Sequence, residues 1–172
     1  MAPAPIGCNT LYDAACPKDH SVDATLRALE RLAATGFGAV EYSHCTSIPL
    51  DQAATVAAHA RSLGLCNWSC HSPFFATGDG QPEGYYLDGL SQAVAICSAL
   101  GAQVVVVHAP LRLGLLRPDQ DLDLDTFRAL DVRVLRQVAE LARRLGVDLT
   151  LENSHTIKHM RYITSLVEEL AH

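Results

Sequence analysis

Residues 100–110 read LGAQVVVVHAP, and the fold follows from this run. Four consecutive valines between a glycine and a proline make a short, wholly apolar strand, the kind covered on both faces in a parallel sheet. The preceding stretch carries Leu87, Leu90, Val94, Cys97 and Leu100 at helical spacing. Gly101 then stands where a helix ends on a left-handed residue. At the carboxyl end of the strand comes His108. The order is therefore helix, glycine, strand, functional group.

The same order recurs on both sides. Gly36 leads to Glu41 and His44, Gly64 to His71, and Gly146 to Glu152. The pattern predicts strands over 6–11, 39–43, 65–71, 103–108 and 147–152. Helices are expected from the cap at Ser21 to Gly36, from Pro49 to 63, from the end of a 72–84 loop to 100, from the cap at Asp125 to 145, and over 160–170. Strands and helices alternating this regularly define an α/β fold with right-handed crossovers. The expectation is an incomplete TIM-type (βα) barrel, about five parallel strands each followed by a helix, with chemistry at the carboxyl ends of the strands. A closed eight-unit barrel takes about 250 residues, against 172 here. Residues 1–172 are accordingly expected to be one domain, truncated after its fifth βα unit.

Composition narrows the function. A hydrophobic share of 49% with 19% charged residues excludes disorder. A net charge of −6 disfavours nucleic acid, whose phosphates call for a basic stripe. It leaves room for a small phosphorylated substrate held by one or two arginines. No apolar run approaches the roughly 18 residues of a membrane span. The opening MAPAPIGCNTLYD has neither a basic nor an apolar signal region, so a cytoplasmic location is expected. Six cysteines form no CxxC pair and read as structural thiols.

Strand side chains alternate between faces. In the third strand Asn67, Ser69 and His71 share one face, while Cys66, Trp68 and Cys70 share the other. In the fifth, Val147, Leu149 and Leu151 belong under helices, which turns Glu152 inward. In the second, Val40 and Tyr42 face out and Glu41 faces in, a better site candidate than His44. One histidine at a strand end is usually a hydrogen-bonded rim residue. Two histidines and a glutamate at matching heights suit a divalent cofactor, Zn²⁺, Mn²⁺, Co²⁺ or Mg²⁺. The candidate ligands are His71, His108 and Glu152, with Glu152 and His108 also candidate catalytic groups. His71, Glu41, Asn67 and Phe74 (in the HSPFF run) are candidate substrate-pocket residues. The stretch 111–123, with Arg112 and Arg117, reads as a solvated loop or a lid.

Taken in series, GFGAVEYSH (36–44), NWSCHSPF (67–74), QVVVVHAP (103–110) and VDLTLENSH (147–155) resemble the xylose-isomerase-like barrel superfamily. That superfamily includes sugar-phosphate isomerases and epimerases and endonuclease IV-type enzymes. The resemblance implies divalent metal at the barrel mouth. It matches Glu152 to the fifth-strand glutamate that binds metal and serves as one of two acid/base carboxylates. It matches His71 and His108 to zinc ligands of the endonuclease branch and to pocket residues of the isomerase branch. Family sites also draw an aspartate, a histidine and a second glutamate from strands six to eight, beyond these five units. Asn153 and Ser154 are expected to help orient Glu152. The implied function is a metal-dependent sugar or sugar-phosphate isomerase/epimerase, or the N-terminal part of one. Two alternatives stand beside it. One is a non-enzymatic truncated or split barrel that needs a partner, an oligomer or a complementing C-terminal half. The other is an endonuclease IV-like zinc phosphodiesterase, against which the charge and the two lysines, Lys18 and Lys158, count.

Overall fold

In α3 (Glu83–Leu100) the last turn closes on Gly101, whose φ of +68° is left-handed. The N–H of Ala102 reaches back to the Cys97 carbonyl at 3.0 Å, and the chain leaves directly into β4 (Val104–Val107). A side chain at Gly101 would be strained in that backbone conformation. Gly36, Gly64 and Gly146 repeat the geometry after the other helices, so the four glycines mark the units as their spacing predicts. The computed structural model describes residues 6–10, 20–73, 75, 81–109, 111, 125–152 and 156–171.

The remaining elements are β1 (Gly7–Asn9), α1 (Val22–Ala34), β2 (Ala39–Tyr42), α2 (Leu50–Ser62), β3 (Cys66–His71), α4 (Asp125–Leu145), β5 (Asp148–Leu151) and α5 (Ile157–Leu170). All strand pairs are parallel, and the spatial order is β1-β2-β3-β4-β5. The chain is thus an α/β sheet of five consecutive βα units, a partial TIM-type barrel. Boundaries shift by a residue or a few. Ser21 caps α1 by accepting from the Ala24 N–H at 3.2 Å. Pro49 is the N-cap of α2 rather than its first residue, and α3 begins at Glu83, inside the stretch read as loop. Asp125 is the first helical residue of α4, not its cap. Thr156 starts α5 earlier than expected, by accepting from the His159 N–H.

Packing of the helices against one face of the sheet forms the core. Val40, Tyr42, Cys70, Val105 and Val107 point into it from the strands. Leu32, Val56, Leu90, Val94, Leu135, Val138 and Leu166 meet them from the helices. Burying one such valine or leucine side chain stabilises the fold by about 1.5–3 kcal/mol. The opposite face, lined by Gly7, Glu41, Trp68, Ser69, Val104 and Val106, bounds an open trough of ≈ 540 Å³.

Strict alternation fails in β3. The register pairs Val40 with Asn67 but Glu41 with Ser69, so Trp68 is an extra residue, a β-bulge. Trp68 and Ser69 therefore both face the trough, and Trp68 is 51% exposed instead of lying under helices. Asn67 is swung to the helix side. A bulge changes the face of every residue before it, which a two-residue period cannot anticipate.

Candidate metal centre

Strands β3, β4 and β5 end at one rim. His71 is the last residue of β3, and His108 and Glu152 each stand one residue beyond their strands. The ladder continues through both ends. The Ser72 N–H donates to the Val106 carbonyl at 2.8 Å and the Glu152 N–H to the Val107 carbonyl at 2.9 Å. Beyond His108 the chain is fixed by the buried Asp131 of α4. Its Oδ1 accepts from the Leu111 N–H at 3.1 Å, and its Oδ2 accepts from the Tyr162 hydroxyl at 2.8 Å. Backbone pairing and helix packing, not loop conformation, position the three side chains.

Their polar atoms form a nearly equilateral triangle. His71 Nε2 lies 3.0 Å from Glu152 Oε2, His108 Nε2 lies 3.2 Å from the same oxygen, and the two nitrogens are 3.1 Å apart. The rings tilt by 38° with centroids 4.6 Å apart. His71 Nδ1 lies 3.2 Å from the Ser72 carbonyl oxygen. A carbonyl only accepts, so Nδ1 carries a hydrogen, and in the neutral ring Nε2 presents a lone pair. An imidazole lone pair and a carboxylate oxygen at 3.0 Å repel unless a cation lies between them. That cation is a proton or a metal ion. Two imidazole nitrogens and one carboxylate oxygen are a donor set for a divalent metal that keeps an open position, and among the described residues they are the grouping suited to one. The residues present fit the implied cofactor.

Beside the triangle is a pocket of ≈ 320 Å³ lined by Asn9, Glu41, Ser43, His44, Val106 and the three candidate ligands. Glu41 Oε2 accepts a hydrogen bond from the Ser69 hydroxyl at 2.9 Å. Ser43 is buried, and its hydroxyl has no hydrogen-bond partner among the described residues. His44 packs against His20 with ring centroids 3.8 Å apart and the planes tilted by 40°. Burial first, then the neighbouring His20 and His71, hold its imidazole below the ordinary range.

Of the candidates named from sequence, His71, His108, Glu152 and Glu41 share this pocket. Asn67 does not. It is 6% exposed and faces α2 and α3, where its Oδ1 accepts from the Tyr42 hydroxyl at 2.7 Å and its Nδ2 donates to the Leu100 carbonyl at 2.9 Å. Asn67 is a structural bracket, placed there by the bulge at Trp68. Phe74, Asn153, Ser154, Arg112 and Arg117 lie outside the described residues. Pattern reading passed over Asn9 and Ser43 and ranked His44 below Glu41. Ser43 and His44 follow β2 in a turn entering the short 3₁₀ stretch Cys45–Ser47, where parity no longer applies.

A family model described as xylose isomerase-like TIM barrel matches residues 29–170. Several solved structures superpose on nearly the whole chain. A D-psicose 3-epimerase determined in the presence of D-fructose gives a TM-score of 0.72 at 16% identity over 97% of this chain and 60% of that one. An L-ribulose 3-epimerase gives 0.70 at 21% identity over 99% and 58%. An AP endonuclease of family 2 from Brucella melitensis gives 0.67 at 17% identity over 97% and 65%. Identities this low carry the fold alone. The chain spans 58–65% of the length of these structures. No protein of curated function matches the sequence, and no described helix is long and apolar enough to cross a membrane.

Proposed function

The chain belongs to the xylose isomerase-like TIM barrel family, and from that premise we propose that it is a metal-dependent sugar or sugar-phosphate isomerase/epimerase, or the part of one that carries His71, His108 and Glu152. The observation that carries this reading is the triangle of two imidazole nitrogens and a carboxylate oxygen at the ends of β3, β4 and β5. In this reading residues 1–172 are one domain. Further barrel strands, from an oligomer or a complementing C-terminal half, would close the open side of the pocket.

His71, His108 and Glu152 would hold the ion, as Zn²⁺, Mn²⁺, Co²⁺ or Mg²⁺. Bound there, it would polarise a substrate carbonyl and stabilise the charge that develops when a neighbouring C–H proton leaves. Glu152 Oε2 faces the two imidazoles, so Oε1 is the oxygen that takes that proton as general base. The Ser72 carbonyl fixes the tautomer of His71, which keeps its Nε2 lone pair aimed at the site. A second acid/base carboxylate on the other side of the substrate returns the proton in an epimerisation.

Titrating the purified chain with Zn²⁺ and Mn²⁺ tests the reading. Wild type should take up one equivalent, and Glu152→Gln should weaken uptake more than tenfold. Unchanged metal content in that variant would remove the mechanism. Turnover of a ketose panel by metal-loaded protein then tests the chemistry. One observation favours a second reading, that of a metal-dependent phosphodiesterase: both histidines direct Nε2 at the Glu152 carboxylate, so all three are placed to share one ion. Cleavage of an abasic-site duplex without sugar turnover would select it.

A further inference from the structure

The mouth pocket has a second polar end, over β1 and β2, that the metal triangle does not use. Glu41 is its centre. Its carboxylate is half-buried, and among the described residues no lysine or arginine pairs with it. Its hydrogen-bond partner there is the Ser69 hydroxyl on Oε2. A carboxylate accepts up to about four hydrogen bonds, so Glu41, which lines the pocket, keeps acceptor capacity on both oxygens. A half-buried charge with one neutral donor is costly unless something else donates to it. Ser43 on the same lining has a buried hydroxyl with no partner among the described residues, an orphan of the kind a ligand group satisfies. The bulge at Trp68 explains why Ser69 is available: it turns two consecutive residues toward the trough, so Ser69 reaches Glu41 while Trp68 lies beside it.

We infer that Glu41, held by Ser69 and flanked by Ser43, is a hydroxyl-recognition subsite, and that it takes the uncharged, polyhydroxylated end of the ligand and rejects a phosphorylated end. Hydroxyl groups donate to the carboxylate in charge-assisted hydrogen bonds, stronger than neutral ones. A phosphate has no hydrogen to donate in its dianionic form and meets a like charge instead. No lysine or arginine among the described lining residues offsets that repulsion. The pocket, at ≈ 320 Å³, is at the small end of the roughly 300–1,000 Å³ range of ligand sites, which suits a single sugar. This inference deepens the isomerase/epimerase reading of the same site and rests on it.

The test is calorimetry of the full chain loaded with Mn²⁺, titrated with D-fructose and with D-fructose 6-phosphate, for wild type, Glu41→Gln and Ser69→Ala. Wild type should bind the free sugar at least tenfold more tightly than its phosphate ester. Glu41→Gln should weaken the free sugar at least tenfold and narrow the gap between the two ligands, with Mn²⁺ affinity unchanged. Ser69→Ala, which removes only the bond that orients the carboxylate, should weaken the free sugar by several-fold. It keeps the inference testable should Glu41→Gln fail to fold. Free-sugar affinity within twofold of wild type in both variants, a phosphate ester that binds wild type more tightly than the sugar, or no sugar binding at all would overturn the inference. Failure of wild type to bind Mn²⁺ would instead sink the metal-site reading beneath it.

Discussion

Asn67→Ala separates a pocket residue from a structural bracket. Truncation removes the partners of two buried groups, the Tyr42 hydroxyl at 2.7 Å and the Leu100 carbonyl at 2.9 Å. A third contact, to the Ala57 carbonyl at 3.4 Å, is too long to add much. Each buried polar group left unsatisfied costs about 1–3 kcal/mol, so the variant should lose about 2–6 kcal/mol. For a chain of this size, 1 kcal/mol moves Tm by about 2–4 °C, and a mid-range loss of about 4 kcal/mol lowers it by roughly 8–16 °C. Thermal and urea unfolding followed by circular dichroism measure this, and Tyr42→Phe completes a double-mutant cycle. The cycle should be non-additive, because the two changes break one shared hydrogen bond. Metal affinity should not change. A Tm within about a degree of wild type, with sugar or metal binding lost instead, would refute the reasoning and return Asn67 to the site.

Further outcomes follow from burial and charge. Cys45, Cys70 and Cys97 are buried and Cys66 is exposed. Hydrogen bonds with Cys45 and Cys97, then burial, hold the Cys70 thiol well above its usual range. An alkylating reagent at neutral pH should therefore modify Cys66 in the native protein and the three core thiols only after denaturation, as read by peptide mass mapping. Fast native labelling of Cys70 would contradict the packing. His44 is held below its usual range, so between its folded value and about 6.5 the unfolded chain binds more protons than the folded one. The stability this represents is present above about pH 6.5 and is lost as the pH falls through the folded value. His44→Asn removes that loss, so its urea midpoint should fall less than wild type's between about pH 7.5 and pH 5. An equal or steeper fall would contradict it.

Much of this was legible because two signals agree at each unit. Gly101 ends a helical spacing, and the valines after it have no polar position, so only a covered parallel strand fits. The same agreement at Gly64 and Gly146 put His71 and Glu152 at strand ends, and the short reach of parallel strands did the rest. What was not legible depends on register. Nothing local marks Trp68 as a bulge; it becomes one because two consecutive β2 residues, Val40 and Glu41, pair with Asn67 and Ser69 and leave Trp68 between them unpaired. That one residue misassigned Asn67 and Trp68 together. His44 was ranked below Glu41 because parity ends where the chain leaves β2 into a 3₁₀ turn, where the Cys45 thiol donates to the His71 carbonyl at 3.2 Å, a contact 26 residues away in sequence.

X-ray absorption at the zinc edge of the Zn²⁺-loaded chain puts the metal triangle to its most direct test. Two imidazole nitrogens at about 2.0–2.1 Å and carboxylate oxygen in the inner shell are expected, with one imidazole lost in His71→Ala and the other in His108→Ala. An inner shell with sulfur, with no imidazole, or unaltered in both variants would contradict the account.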